Sequence, residues 1–203
     1  MFDEETFMNQ YANNYIDAIS TGLKSTVATG NSNVSDIENA LKLWVEITKQ
    51  VRDRRGLFFF IGNGASASMA EHMAHDCFKN ADMLTQTCSE TSHLTAMAND
   101  MSAEDIFSYK IEKILTEGDM LIAISSSGNS PNIIKAIKAA KTNGAFVVTL
   151  TGKSEDNMVR TLGDLNLYVP LDTYGLVESA HATLLHCWLD MFGNLHFRPD
   201  GHC

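Results

Sequence analysis

A chain of 203 residues, 44% hydrophobic with 3 prolines, has room for one sizeable core and no linker-like stretch, so a single domain over 1–203 is expected. Its formal net charge of -10 argues against any general affinity for nucleic acid or anionic membrane, since both need a basic patch to displace counterions. No apolar run approaches the roughly 18 residues of a membrane span, and the stretch MFDEETFMNQYANNY carries acids where a signal peptide carries lysine or arginine, so a cytoplasmic location is expected.

Residues 4–28 and 34–55 show apolar positions at three- and four-residue intervals and read as two helices, the second capped by Ser35 or Asp36, with ATGNSNVS as the loop between them. They carry no clustered chemistry, and residues 1–55 are expected to form a helical extension packed on the domain or on a partner subunit. At Leu57 the pattern changes. LFFFIG is apolar throughout and ends in glycine, as a strand covered on both faces should. A helix is expected through 63–80, a strand at 83–87, a short helix near 91–98 and an amphipathic helix over 103–118. There follow a strand at 119–125, a helix at 130–144, strands at 145–152 and 165–170, and a last helix from about Gly175 to His196. The tail from His196 reads as a frayed end. Strands alternating with helices imply an α/β fold with a parallel sheet wound on both faces, whose ligands bind beyond the carboxyl ends of the strands. The four cysteines, Cys77, Cys88, Cys187 and Cys203, show no CxxC spacing and read as reduced, mostly buried thiols.

Two loops at those strand ends are loaded with polar groups. In SSSGNSPN, Pro131 sits where a helix starts and Ser130 is placed to cap it, so free amides would join the hydroxyls of Ser125, Ser126, Ser127 and Ser130 around Gly128. Such a nest attracts a phosphate through directed donors and the helix dipole, without lysine. Neither GxxxxGK[ST] nor GxGxxG is present, so a small phosphate ester is expected rather than a nucleotide. In GNGAS, Gly62 and Gly64 frame Asn63, and Ser66 opens the next helix. That helix places His72 and Asp76 four residues apart, and Glu71 with His75 beside them; the last helix carries Glu178, His181 and His186. A histidine with a carboxylate at i+4 can orient a proton carrier or hold a divalent metal, but spacing alone does not choose among these residues.

With GNGAS, SHLTAMANDMSAEDIFS, ISSSGNSPNIIKAIKAAK and VVTLTGK in order, followed by a closing helix with two histidines, residues 57–190 resemble the sugar isomerase (SIS) domain family, and within it the bacterial phosphoheptose isomerases. The resemblance implies a doubly wound, five-stranded parallel sheet of flavodoxin-like type, assembled as a homotetramer with active sites between subunits. It implies sugar-phosphate contacts at Asn63, Gly64, Ser66, Asn99, Asp100, Ser125, Ser126, Ser127, Ser130 and Glu178. It further implies Asp76 as base, His186 as the opposing acid/base, and a divalent metal, zinc by its donor set, on His72, Asp76, Glu178 and His186. The reaction so implied is aldose–ketose isomerisation of sedoheptulose 7-phosphate, serving lipopolysaccharide or capsule synthesis. The chain departs from the pattern at Asp76, where the family has Glu, and at Glu178, where it has Gln. FKNAD replaces the stretch that ends in GRY, putting Lys79 and Asn80 there, and 171–177 is one residue short. The rival expectations are a non-catalytic SIS adaptor or sugar-phosphate sensor, of the kind that partners replication initiation, and an isomerase or epimerase of another sugar phosphate.

Overall fold

The computed structural model describes residues 4–30, 34 and 36–196; Ser35, Cys203 and the expected frayed tail beyond His196 lie outside them. The elements in chain order are α1 (Glu4–Lys24), β1 (Val27–Gly30), α2 (Ile37–Asp53), β2 (Leu57–Gly62), α3 (Ala65–Ala81), β3 (Leu84–Gln86) and α4 (Thr91–Asp100). They continue with α5 (Asp105–Ile114), β4 (Met120–Ser125), α6 (Pro131–Thr142), β5 (Phe146–Gly152), a short 3-10 turn (Met158–Thr161), β6 (Leu165–Val169) and α7 (Tyr174–His196).

The sheet has six strands in the order β1-β6-β5-β4-β2-β3. Five are parallel, and counted among themselves they run 2-1-3-4-5, the flavodoxin-like order. The sixth corrects the expected five-stranded sheet: Val27–Gly30, read as the end of the first helix and the start of the loop after it, pairs antiparallel with β6 in the register Val27↔Tyr168 to Gly30↔Leu165. An edge strand of four residues needs one partner, and VATG has no apolar alternation to reveal it.

The central strands supply both cores because successive side chains leave a strand on opposite faces. Phe58 and Phe60 join Met120, Ile122 and Ile124 under α2, α3 and α7. Phe59 and Ile61 join Leu121 and Ala123 under α5 and α6. All of these are at most 1% exposed, and each fully buried large apolar side chain contributes about 1.5–3 kcal/mol.

Local chemistry sets the helix ends. Asp36 caps α2, its carboxylate accepting from the Asn39 amide at 2.8 Å. The expected helix over 103–118 stops at Ile114: the Asp119 carboxylate accepts from the Thr116 amide (2.7 Å) and hydroxyl (2.9 Å), fixing a turn, and Asn143 donates to the Leu115 carbonyl (2.8 Å). α2 docks on α7 through Trp44 and Trp188, whose rings stack 4.3 Å apart and 8° from parallel; Trp188 donates its indole N–H to Thr48 at 3.0 Å.

Candidate active site

β2 and β4 are parallel neighbours with Gly62 opposite Ile124, so the two loaded loops emerge side by side at the carboxyl edge. They are locked together by a reciprocal amide pair: Asn63 donates to Asn132 and Asn132 to Asn63, both at 3.0 Å. Asn132 escapes a reading of the sequence because an asparagine in the first turn of α6 looks like ordinary helix surface. Behind the pair lies a cleft of about 160 Å³ lined by Asn63, Ser66 and the four serines Ser125, Ser126, Ser127 and Ser130, with Tyr174 and Glu178 of α7 closing the side.

The serine loop keeps some of its polar groups for itself. The Gly128 amide donates to the Ser125 carbonyl (3.0 Å) and hydroxyl (3.2 Å), and the Ile133 amide donates to Asn132. These amides are therefore turned inward, which reduces the nest expected from sequence. Ser130 occupies the N-cap position of α6 but makes no capping hydrogen bond, contrary to expectation. The Ser126 hydroxyl is buried with no hydrogen-bond partner. A buried hydroxyl without a partner costs free energy that a ligand oxygen in the cleft would recover. Gly128 has φ +63°, and a Cβ there would lie 2.0 Å from Asn157 Oδ1. Asn157 holds the 152–158 loop by accepting from the Arg160 amide (3.1 Å) and donating to the Ser154 carbonyl (2.7 Å). The Met158 amide donates to Asn129 and the Val159 amide to the Gly128 carbonyl, so this loop is stitched to the serine loop as a second wall.

The histidine chemistry stands on the outer sides of α3 and α7, which pack against each other. His72 Nε2 lies 3.3 Å from Asp76 Oδ2, and the His186 ring is 5.3 Å from the His72 ring. One ligand atom from each of His72, Asp76 and His186 falls within 4.8 Å of the other two. The donor set fits a divalent metal. Two bonds of about 2.0 Å at a tetrahedral angle bring ligand atoms roughly 3.3 Å apart, the separation of His72 and Asp76, and two imidazoles with one carboxylate leave a fourth position open.

Of the expected four residues, His72, Asp76 and His186 meet within one chain and Glu178 does not join them. It stands eight residues before His186 on α7, about 12 Å along the helix axis, and its side lines the serine cleft. Gly64 sits at the N-cap of α3, at the mouth of the same loop. Asn99 and Asp100 bond to each other at 2.7 Å on the exposed end of α4, outside the residues lining the cleft.

Other titratable candidates separate cleanly. His181 is fully buried, its Nε2 3.0 Å from the Thr151 carbonyl, and burial lowers its pKa to about 4. It is thus a neutral strut between α7 and β5. Burial pushes the Cys77 thiol well up and that of Cys88 to about 11, so neither is a thiolate nucleophile at neutral pH. Cys187 is exposed, unlike the buried thiol expected. Among the described residues, no helix is long and apolar enough to cross a membrane.

A serine-lined cleft at the carboxyl edge of a flavodoxin-like sheet, with a His/carboxylate cluster on the flanking helices, defines a sugar-phosphate-binding class of domain. The SIS domain model matches residues 14–152, and the chain belongs to the SIS domain family, among its phosphoheptose isomerases. It is 33% identical over 183 residues to phosphoheptose isomerase of Azoarcus sp. (strain BH72), covering 86% of this chain and 93% of that one. It is 36% identical over 148 residues to phosphoheptose isomerase of Shewanella frigidimarina, covering 68% and 75%. The solved phosphoheptose isomerase from Neisseria gonorrhoeae superposes with a TM-score of 0.77 at 26% identity, covering 94% of this chain and 98% of that one.

Proposed function

We propose that the chain, as one SIS domain, is an aldose–ketose isomerase acting on sedoheptulose 7-phosphate to give D-glycero-D-manno-heptose 7-phosphate. The observation that carries this reading is the His72–Asp76–His186 cluster, standing on two helices whose first turns wall a serine cleft, in a chain similar along 86% of its length to a phosphoheptose isomerase. The cleft takes the phosphate: Ser126 and Ser130 offer hydroxyls not spent on the protein itself, and the first turns of α3 and α6 add their dipoles.

Isomerisation moves one proton from C1 to C2 and another from O1 to O2 through an enediol. Asp76 removes the C1 proton and returns it at C2, while His186 protonates O2 and accepts the proton of O1. His72, 3.3 Å from Asp76, orients the carboxylate. The cluster would hold zinc through His72, Asp76 and His186, and the metal would polarise the substrate's carbonyl oxygen. A metal held there would compete with the proton for the Asp76 carboxylate and the His186 imidazole.

The working form is a homotetramer with active sites between subunits. Two features support this. Glu178 is too far along α7 to complete the cluster of its own chain, so a four-residue set would need the Glu178 of another copy. The His72 side chain is 57% exposed, and α1 presents Met8, Tyr11 and Ile16, each more than half exposed, beside a groove of about 330 Å³ lined by Ile16, Ile19 and Leu23. The cytoplasm, where sugar phosphates are made, is the expected compartment. A panel of ketose phosphates assayed with and without zinc, with mass measured by light scattering, tests the reading. Turnover of sedoheptulose 7-phosphate by a tetramer is expected; turnover of no sugar would instead make the chain a sensor or adaptor.

A further inference from the structure

The cleft has an electrostatic deficit. Glu178 is the charged side chain in its lining, so a phosphate dianion would enter beside a carboxylate with hydroxyls and dipoles alone to hold it. Lys135, one turn into α6, is spent on an ion pair with Asp105. Among the described residues, Lys153 is not one of the lysines drawn into ion pairs, which are Lys49, Lys110, Lys135 and Lys141.

The backbone goes to some length to place Lys153. It follows Gly152 at the carboxyl end of β5, where a Cβ on Gly152 would lie 2.5 Å from Val177 Cγ1; the bare glycine lets β5 press against the first turn of α7. Lys153 itself has φ +58°, a left-handed conformation that side-chain-bearing residues rarely adopt. Its peptide is fixed on both sides: its amide donates to the Leu171 carbonyl at 3.1 Å, and its carbonyl accepts from the Tyr168 hydroxyl at 2.9 Å. So held, its ammonium lies 3.9 Å from the centroid of the Tyr174 ring, and Tyr174 lines the cleft. Unfavourable dihedrals maintained by surrounding bonds cluster at functional sites.

We propose that Lys153 is the cation that meets the substrate's phosphate, a specificity-determining residue parked on Tyr174 and swung from the ring to the anion at the mouth of the serine cleft. The proposal rests on the sugar-phosphate reading above. The aromatic face holds an ammonium without neutralising it, so the charge is kept at the cleft yet free to leave. An ion pair with a carboxylate would have competed with the phosphate.

Lys153→Gly is the decisive variant, because glycine adopts φ +58° without strain and the fold should be at least as stable. Binding of inorganic phosphate is measured by calorimetry at two salt concentrations, and KM and kcat with sedoheptulose 7-phosphate alongside. Loss of a charge-assisted hydrogen bond should weaken inorganic phosphate at least about tenfold, flatten the salt dependence, and fall on KM rather than kcat. Lys153→Arg should keep most of the affinity. Unchanged phosphate affinity and KM in Lys153→Gly, with both impaired in Ser126→Ala, would overturn the role of Lys153 and leave the isomerase reading standing. A wild-type protein that neither binds phosphate nor turns over sugar phosphates would overturn both.

Discussion

Gly128→Ala should damage the phosphate cleft by way of a residue that never touches the ligand. An alanine at φ +63° costs about 1 kcal/mol from the left-handed backbone alone. Its Cβ would also lie 2.0 Å from Asn157 Oδ1, so Asn157 must leave. Its bonds to the Arg160 amide and the Ser154 carbonyl go with it, at about 1 kcal/mol each. The expected loss is about 3 kcal/mol, a urea midpoint lowered by about 1.5 M at a slope near 2 kcal/mol per M. Asn157→Ala alone should cost about 2 kcal/mol for the same two bonds. In the double variant the overlap no longer exists, so the cost should again be about 3 rather than the additive 5 kcal/mol. Urea unfolding of the four proteins measures the cycle, and strict additivity would refute the claim that the glycine serves Asn157. Because the 152–158 loop walls the cleft, KM for the sugar phosphate should rise in both single variants.

Asp76→Asn and His186→Gln should each lower kcat by about 10²-fold or more, the usual contribution of a general acid or base; near-normal turnover in either would remove that residue from the chemistry. Ser126→Ala should raise KM while leaving the thermal midpoint unchanged or slightly higher, since the buried hydroxyl has no partner to lose; a midpoint several degrees lower would show that it holds the fold instead. For His181 the folded pKa of about 4 lies below the unfolded value near 6.5. The unfolded chain therefore takes up a proton first as pH falls, and stability present above pH 6.5 is lost progressively down to about 4, roughly 3 kcal/mol in all. Urea midpoints across that range should show the slope, and His181→Gln should flatten it; an equal slope in the variant would assign it to other groups.

The parts of this fold that can be read from sequence are those decided by local pattern. β2, β4 and β5 are apolar at nearly every position because they are covered on both faces, and each lands within a residue of its expected bounds. β1 cannot be read this way: Val27–Gly30 becomes a strand because β6 lies beside it, a pairing of residues some 140 apart in the chain. The site divides likewise. The two serine- and glycine-rich loops announce themselves, and so do His72 and Asp76, whose spacing of four puts them on one helix face. The Asn63–Asn132 pair and the wall built around Asn157 depend on loops meeting in space. Spacing leaves Glu178 undecided for a further reason: it gives the angle relative to His186, but about 12 Å of axial rise separates the two within one chain.

The stacked indoles of Trp44 and Trp188 have a practical consequence. They are the two tryptophans of the chain, 4.3 Å apart and 8° from parallel, close enough for their electronic transitions to couple into an exciton couplet in circular dichroism. One ring belongs to α2 and the other to the helix that carries His186. The molecule therefore has a label-free optical gauge of whether α2 is seated on α7. It can be read in the same cuvette as turnover, and at concentrations where an oligomer comes apart.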